Sequence, residues 1–286
     1  MLSDSKSDKR EEMKRIAVLM TCYNRVDTTL ECLRRLFVQE VPDGYSFDVW
    51  LVDDNSPDKT GEKVKSAYPQ VNVVQGTGSL FWCKGMRLAW DKAAGAYDYD
   101  FYLWLNDDTM LTEGAIKCLI ADYENVAKAE DEAHTIVGSF TTAPDSDFIS
   151  YGTVTKSGER LIPNGAPQRV SGVMAGNCVL ISRAVYGRIG PICGKFHHGG
   201  GDYDYAYLMH ESGIPFYCAS KVIGWCPANH SNFTFKGKNL WQRIRLLWRP
   251  KGVCLHDALL MRMRHGGIFR ATLTFFHVVW ITVRGK

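Results

Sequence analysis

The chain has 286 residues, enough for one large domain with an appendage. Hydrophobic residues make up 45% of it and charged residues 23%, a composition that excludes a disordered chain. Residues 1–14 are polar and charged without an apolar core, so we expect a loose leader and no secretory signal.

The nine cysteines are irregularly spaced, and no two of them form a CxxC pair. This usage favours a reducing compartment and argues against both a disulfide framework and a structural zinc site. We therefore expect a cytoplasmic protein.

Charge is unevenly distributed along the chain. Residues 236–286 contain eleven Lys and Arg and a single acid, Asp257, so this segment carries +10 and the preceding 235 residues carry −7 of the net +3. A basic segment on an acidic body indicates an anionic partner. An anionic membrane surface and nucleic acid are the candidates, and nucleic acid is disfavoured because no recognition motif accompanies the charge.

Buried apolar runs alternate with segments of helical spacing over the first 110 residues. Strands are predicted at 16–20, 47–52, 71–76 and within 99–109, and helices at 27–39, 56–68 and within 78–95. Asp27 or Thr28 is the expected N-cap of the first helix. The order β-α-β-α-β-α-β predicts an α/β domain with a mainly parallel sheet. We expect a single domain over 15–235, followed by a basic helical tail over 236–286.

Polar residues cluster where the predicted strands end, and ligands of open α/β sheets bind outside those ends. The clusters are Thr21, Tyr23 and Asn24, then Asp53, Asp54 and Asn55, then Asn106, Asp107 and Asp108. Two adjacent carboxylates are costly unless a positive group joins them. A divalent ion such as Mg²⁺ solves this by binding carboxylates and substrate phosphates together. The strand ends therefore predict a metal and diphosphate site.

Glycine-rich phosphate-binding motifs are missing, since TCYNRVD follows the first strand. Lys84 and Arg87 could supply positive charge to phosphates, but they are equally typical of a solvated helix face. The stretch GGGDYDYAYLMHESG places Asp202 at or just before a helix N-terminus. There a carboxylate serves as a cap, as a general base, or as both.

Four motifs, taken in order, resemble those of the inverting family-2 glycosyltransferases with the GT-A-type fold, of the kind that builds bacterial surface polysaccharides. They are IAVLMTCYNR, LVDDNSPDKT, LNDDT and GGDYDYAYLMHESG, and the resemblance covers residues 14–230. Gly201 replaces the usual Glu before the catalytic Asp, Leu208 and Met209 stand where an Arg is usual, and Phe81 and Trp82 replace smaller residues. These departures concern donor and acceptor details.

The resemblance implies roles for individual residues. Asp202 would be the general base, Asp108 would ligate Mg²⁺ or Mn²⁺, Asp107 would face the ribose, and Asp53 would be structural. His230 would be a second metal or diphosphate contact, or simply a loop residue. Asp204 would support its loop or bind the acceptor. The remaining donor contacts would come from Thr21, Tyr23, Asn24, Asp54, Trp82, Lys84, Arg87 and Asn106, while the loop 151–165 and Trp82 would shape substrate choice.

The implied reaction transfers a sugar, with inversion, from a UDP- or dTDP-sugar to a hydroxyl of a saccharide acceptor. Residues 15–110 would form the nucleotide-binding half and 111–235 the acceptor half. Two alternatives stay open: a sugar nucleotidyltransferase, which should carry a Gly- and Lys-rich loop after the first strand, and a non-catalytic binding module, which should lack the carboxylates.

The tail pattern suits a membrane interface or a helix packed on the body. Residues 239–250 place Leu240, Trp241, Ile244, Leu247 and Trp248 on one face. The apolar segment 267–283 contains Arg270 and His277 and is short for a span, so we expect it to dock or lie at the interface without crossing. Membrane contact would make the protein peripheral on the inner face of the cell membrane and its acceptor lipid-linked.

Overall fold

The computed structural model describes residues 13–228, 235–250 and 254–285. The apolar runs of the first part form parallel strands covered on both faces. In chain order the elements are β1 (Lys14–Cys22), α1 (Val26–Phe37), β2 (Tyr45–Asp53), α2 (Thr60–Ala67), β3 (Asn72–Gln75), α3 (Phe81–Ala96) and β4 (Phe101–Leu105). β1 pairs in parallel with both β2 and β4, and β2 pairs in parallel with β3. The predicted β-α order is confirmed; apart from Lys14, which begins β1, the expected leader lies mostly outside the described residues.

The second part of the chain adds strands to the same sheet. Its elements are β5 (Met110–Leu111), α4 (Ala115–Ala127), β6 (Thr135–Thr141), β7 (Ile149–Tyr151), β8 (Thr153–Val154), β9 (Gln168–Arg169), β10 (Val173–Met174), β11 (Cys178–Ser182), α5 (Arg183–Ile189), α6 (Gly201–Glu211) and β12 (Phe216–Trp225). The sheet order is β3-β2-β1-β4-β11-β6-β12-β5. β11 runs antiparallel to β4 and β6, whereas β12 is parallel to β6. The sheet is therefore mainly parallel, as expected.

Alternate residues of β1 face two different hydrophobic layers. Ile16, Val18 and Met20 join the layer that α1, α2 and α4 cover, and Ala17 and Leu19 join the layer under α3, α5 and α6. This alternation follows from the two-residue period of a strand. Helices on both faces hold the sheet in a three-layer arrangement that leaves its edge of strand ends open to ligands.

The start of α1 differs from the prediction. The helix begins at Val26, with Arg25 as its N-cap residue and no capping side chain of its own. The backbone N–H of Val26 instead donates to Asp58 Oδ2 at 3.0 Å. A carboxylate from the turn before α2 thus replaces the local cap that Asp27 or Thr28 was expected to supply.

The tail folds into two helices, α7 (Leu240–Leu247) and α8 (Leu255–Arg284). A capping box starts α7, with Asn239 and Gln242 each accepting the other's backbone N–H. The two helices share a small apolar cluster, Phe235, Leu246, Leu247, Leu255 and Val278. α8 is kinked at Gly267, where φ is 73°. By length and apolar composition alone, this 30-residue helix would suffice to cross a membrane. It is longer than the apolar segment 267–283 that the sequence indicated.

α8 is docked on the body through a buried carboxylate of α6. Asp204, which is 1% exposed, accepts from Arg264 Nε at 2.5 Å and from His265 Nε2 at 2.8 Å. A buried carboxylate requires such partners, because leaving it unpaired costs several kcal/mol. Of the two arrangements that the sequence allowed for the tail, packing on the body is therefore observed for α8 at Arg264 and His265.

Gly85 permits the close approach of α3 to β1. A Cβ at this position would lie 2.3 Å from Thr21 Oγ1 and 2.9 Å from Thr21 Cβ. We expect Gly85→Ala to lower the free energy of unfolding by about 1–3 kcal/mol through overpacking, despite the better helix propensity of alanine. Gly95→Ala in the same helix is the matched control, because its Cβ would meet nothing within 4 Å. Denaturant unfolding measures both variants, and equal stabilities would contradict the close contact.

Candidate active site

A cleft of about 790 Å³ opens where the parallel strands end, as the sequence predicted. It brings together most of the predicted site residues, although they come from separate strands and from α6. Its lining includes Thr21, Tyr23, Asp54, Trp82, Asn106, Asp107, Asp108 and Asp202. The acidic turn after β4 and the first turn of α6 therefore face the same space.

The two adjacent carboxylates share one guanidinium. Arg25 Nη1 donates to Asp108 Oδ2 at 2.7 Å and to Asp107 Oδ1 at 3.3 Å. Asp107 is 6% exposed and also accepts from Thr29 Oγ1 at 3.4 Å. Burial and the charge of Asp108 raise the pKa of Asp107 to about 7, and the opposing effect of Arg25 is smaller. One arginine is therefore not enough to compensate the pair.

The carboxylate pair fits a divalent cation. Its donors are hard oxygens, and the Asp108 side chain is 20% exposed at the cleft whereas that of Asp107 is 9% exposed. The raised pKa of Asp107 shows that further positive charge would be favourable here. Asp108 is the residue that an ion such as Mg²⁺ or Mn²⁺ could reach without unburying the strand end.

Asp54 organises the loop before α3. Its carboxylate accepts three backbone N–H groups, from Gly78 at 2.7 Å, Leu80 at 2.8 Å and Phe81 at 3.1 Å. Asp53 accepts from the backbone N–H groups of Gly61 and Ser56, each at 3.1 Å. Both acids therefore hold turns, and contact of Asp54 with the donor stays a prediction.

Trp82 forms one wall of the cleft. Its Nε1 donates to Asn106 Oδ1 at 2.6 Å, and its ring meets Trp104 edge to face at 5.8 Å. Gly176 faces this ring so closely that a Cβ there would lie 2.6 Å from it. The wall is thus fixed by packing as well as by a hydrogen bond.

Asp202 lies in the first turn of α6, two residues after the N-cap Gly200, whose φ of 87° suits glycine. Its Oδ2 accepts from the backbone N–H of Gly176 at 3.1 Å and its Oδ1 from that of Tyr203 at 2.9 Å. Burial raises the pKa of Asp202 to about 6. A carboxylate so held, facing a cleft, can accept a proton near neutral pH.

Several predicted residues lie elsewhere. Arg87 pairs with Asp91 at 2.8 Å on the surface of α3, which matches the alternative of a solvated helix cation. Lys84 is half-buried, and neither it nor the exposed Asn24 lines the cleft. The donor contacts predicted for these three residues therefore stay predictions. His230 lies outside the described residues.

Asp204 also differs from the acceptor-binding prediction. Its Oδ1 is bonded to both Arg264 and His265, and the residue does not line the cleft. The alternation of Asp202 and Asp204 along one helical turn points the first acid to the cleft and the second to the tail. The prediction that Asp204 supports its own segment fits this arrangement better.

Sequence reasoning missed Arg25 and Arg160. Arg25 ends the YNR turn, and the need for a cation beside two adjacent acids was its available signal. Arg160 comes from the loop 151–165, donates to the carbonyl oxygen of Ser150 at 2.7 Å and lines the cleft. It gives that loop a charged group where substrate would bind.

The family model described as "Glycosyl transferase family 2" matches residues 17–190. The chain belongs to this family. No curated protein matches the sequence significantly. The family read from the motifs is therefore confirmed over more than half of the chain, although the fourth motif, GGDYDYAYLMHESG, lies beyond the matched residues.

Solved structures with the same fold are only distantly similar. The mannosyltransferase PcManGT from Pyrobaculum calidifontis, in complex with GDP-Man and Mn²⁺, is 16% identical with a TM-score of 0.55, covering 94% of this chain and 69% of its own. GalNAc-T7 with UDP, GalNAc and Mn²⁺ is 16% identical with a TM-score of 0.56 (87% and 51% coverage). S. aureus TarS 1-349 is 15% identical with a TM-score of 0.53 (89% and 73%). These likenesses show the GT-A-type fold, and the chain spans about half of the GalNAc-T7 chain.

The shared guanidinium makes a prediction about metal binding. Because Arg25 already pairs with both carboxylates, Arg25→Gln should increase the Mn²⁺-dependent rise in Tm and lower the metal-free Tm. Arg34→Gln, an exposed arginine of the same helix paired only with Glu31 among its described ion pairs, is the matched control. A Mn²⁺ titration by thermal shift checks this. A smaller Mn²⁺ response in Arg25→Gln than in the wild type would show that Arg25 does not compete with the ion.

Proposed function

We propose that this protein is an inverting glycosyltransferase that moves a sugar from a nucleotide-diphosphate donor, a UDP- or dTDP-sugar, to a hydroxyl of a saccharide acceptor. Family membership gives the reaction class. Neighbours of the same fold have been solved with GDP-Man and Mn²⁺ and with UDP-GlcNAc, which supports a nucleotide-sugar donor. In this proposal residues 15–110 bind the donor and residues 111–235 bind the acceptor.

The single observation that carries the proposal is that Asp202 faces the cleft that also holds Asp107 and Asp108. Retention of the anomeric configuration by double displacement would need a protein nucleophile that attacks the sugar. Inversion needs only a base that deprotonates the acceptor hydroxyl. Asp202 takes the proton of the acceptor hydroxyl while that oxygen attacks the anomeric carbon. The bond from this carbon to the nucleoside diphosphate breaks on the opposite face.

The acidic turn after β4 would hold the donor. Asp107 faces the ribose, and Asp108 would ligate Mg²⁺ or Mn²⁺, which when bound supplies charge compensation for the departing diphosphate. Arg25 lies beside both acids and offsets part of their negative charge. Trp82 and Asn106, fixed to one another, would orient the sugar between these acids and Asp202.

Replacing the base should separate binding from transfer. We expect Asp202→Asn to bind the donor nucleotide nearly as the wild type does, while transfer falls by about 10²–10⁴-fold. A thermal-shift panel of UDP, dTDP, GDP and CMP with their sugars, with and without Mn²⁺, first identifies the nucleotide; product formation then measures transfer. Asp145→Asn, at an exposed position outside the cleft, is the control. Retained turnover in Asp202→Asn would refute the base assignment.

The same residue sets the expected pH dependence. Asp202 acts as a base only when ionised, and because its pKa is raised to about 6, that form is lost as pH falls through this value. The kcat/KM of the wild type should therefore decline as pH falls through about 6, in addition to any earlier change from Asp107, whose pKa is raised to about 7. The residual activity of Asp202→Asn should lack this step; an identical step in the variant would assign it to another group.

For the tail, we propose contact with the anionic inner face of the cell membrane, where a lipid-linked acceptor in polysaccharide biosynthesis would lie. Trp241 and Trp248 on α7 are 75% and 69% exposed, and Phe269 on α8 is 72% exposed. Exposed aromatic side chains beside a segment of charge +10 suit an interface of lipid headgroups.

Vesicle binding tests the membrane proposal. The full chain should co-sediment with phosphatidylglycerol vesicles and not with pure phosphatidylcholine, and the double substitution Trp241→Ser with Trp248→Ser should abolish most of this binding. Phe148→Ser removes an aromatic side chain of similar exposure, 67%, away from the tail and should bind as the wild type does. Equal sedimentation of the wild type and both variants would show that Trp241 and Trp248 do not contribute to vesicle binding.

A further inference from the structure

Four side chains of metal-ligand type meet between the tail and the body. They are His197, from the loop before α6, and Cys254, His256 and Asp257, from the start of α8. One Nδ1 or Nε2, Sγ or carboxylate oxygen from each lies within 4.8 Å of the others. The cluster is separate from the cleft, since none of the four lines it. Its chemistry is therefore independent of the donor site.

The ligand atoms of the four side chains lie close enough together to surround one ion. Asp257 Oδ1 lies 2.8 Å from His197 Nδ1 and 2.9 Å from His256 Nδ1, and Cys254 Sγ lies 3.8 Å from His197 Nδ1. Ligand atoms around a tetrahedral zinc ion, at about 2.0–2.3 Å from the metal, are themselves about 3–4 Å apart. The observed spacing thus needs only small side-chain movements to enclose an ion.

The donor set selects for zinc. A thiolate, two imidazoles and a carboxylate give the four nitrogen, sulfur and oxygen ligands that Zn²⁺ takes in closed structural sites, whereas Mg²⁺ and Mn²⁺ prefer oxygen alone. Cys254 and Asp257 are 8% and 7% exposed, and His256, whose side chain is 49% exposed, leaves a route for the ion. The other Asp257 oxygen accepts the backbone N–H of His197 at 3.0 Å, which orients the carboxylate.

We propose that His197, Cys254, His256 and Asp257 form a structural zinc site that fastens the tail to the loop before α6, the helix that carries the cleft carboxylate Asp202. On binding, the Cys254 thiol loses its proton and the thiolate bonds the ion.

The site lies where it can hold α6 in place. The carbonyl oxygen of His197 accepts the backbone N–H of Cys83 in α3 at 3.1 Å, so the loop is tied to α3 on one side and to α8 on the other. Further along the same two helices, Asp204 is bonded to Arg264 and His265. The metal would thus be the second of two fastenings between α6 and α8. The sequence argument against zinc considered CxxC spacing and missed the local group C-x-H-D at 254–257.

Metal content tests the proposal in the full chain purified without chelator. We expect one zinc ion per chain by elemental analysis, lost in Cys254→Ser and in His256→Ala, and kept in Cys193→Ser, a half-exposed cysteine outside the cluster. Asp108→Ala should also keep zinc, which separates this site from the donor site. Because His256 is half-exposed, His256→Ala should fold even if Cys254→Ser does not.

Cobalt substitution supplies a second readout. Co²⁺ in place of zinc should show a thiolate charge-transfer band and the visible bands of a tetrahedral site, and Cys254→Ser should lose the thiolate band while Cys193→Ser retains it. Chelation should lower the Tm of the wild type and leave that of His256→Ala unchanged. Protein without zinc, or zinc content unchanged in both cluster variants, would overturn the proposal and leave a purely hydrogen-bonded cluster.

Discussion

Two carboxylates that adjoin at the end of a buried strand must share positive charge, and the arrangement of the cleft follows from that requirement. Asp107 and Asp108 lie where β4 leaves the sheet, and Arg25 reaches both from the turn after β1. β1 and β4 are parallel neighbours, so their carboxyl ends bring the three side chains to one place. The pKa of Asp107 stays high even so, because burial outweighs the single guanidinium. The site therefore retains a preference for one more cation.

The opposite side of the cleft depends on how α6 is held. Asp202 is oriented by backbone N–H groups of Gly176 and Tyr203, so a small shift of α6 would change the direction of its carboxylate. Asp204, two residues later, is anchored by Arg264 and His265 of α8. The tail thus contributes to the position of the proposed base without lining the cleft. This links the basic segment, which charge alone would assign to a partner, to the geometry of the site.

Local patterns were enough to predict the strands, the parallel order and the acidic turns, because each depends on a short run of residues. Asp107, Asp108 and Asp202 reached the cleft as expected for the same reason. Contacts across long sequence separations were not predictable in this way. Arg25 meets Asp107 and Asp108 across 82 and 83 residues, and Asp204 meets Arg264 across 60 residues. Asn24 and Arg87 do not line the cleft, since a turn residue or a helix cation faces solvent as readily as a ligand, and their donor contacts stay predictions.

The two proposed metal sites differ in how firmly they would hold an ion, and the difference suits their roles. The oxygen ligand Asp108 would bind Mg²⁺ or Mn²⁺ loosely and let substrate phosphates complete the shell. Thiolate and imidazole ligands at Cys254, His197 and His256 would bind zinc more tightly. An ion that accompanies a donor must be able to leave with the product, whereas one that fastens α8 to the loop before α6 must not. Because the two sites would use different ligand types, exchange of Mg²⁺ or Mn²⁺ at the cleft would not release the zinc ion that holds α8.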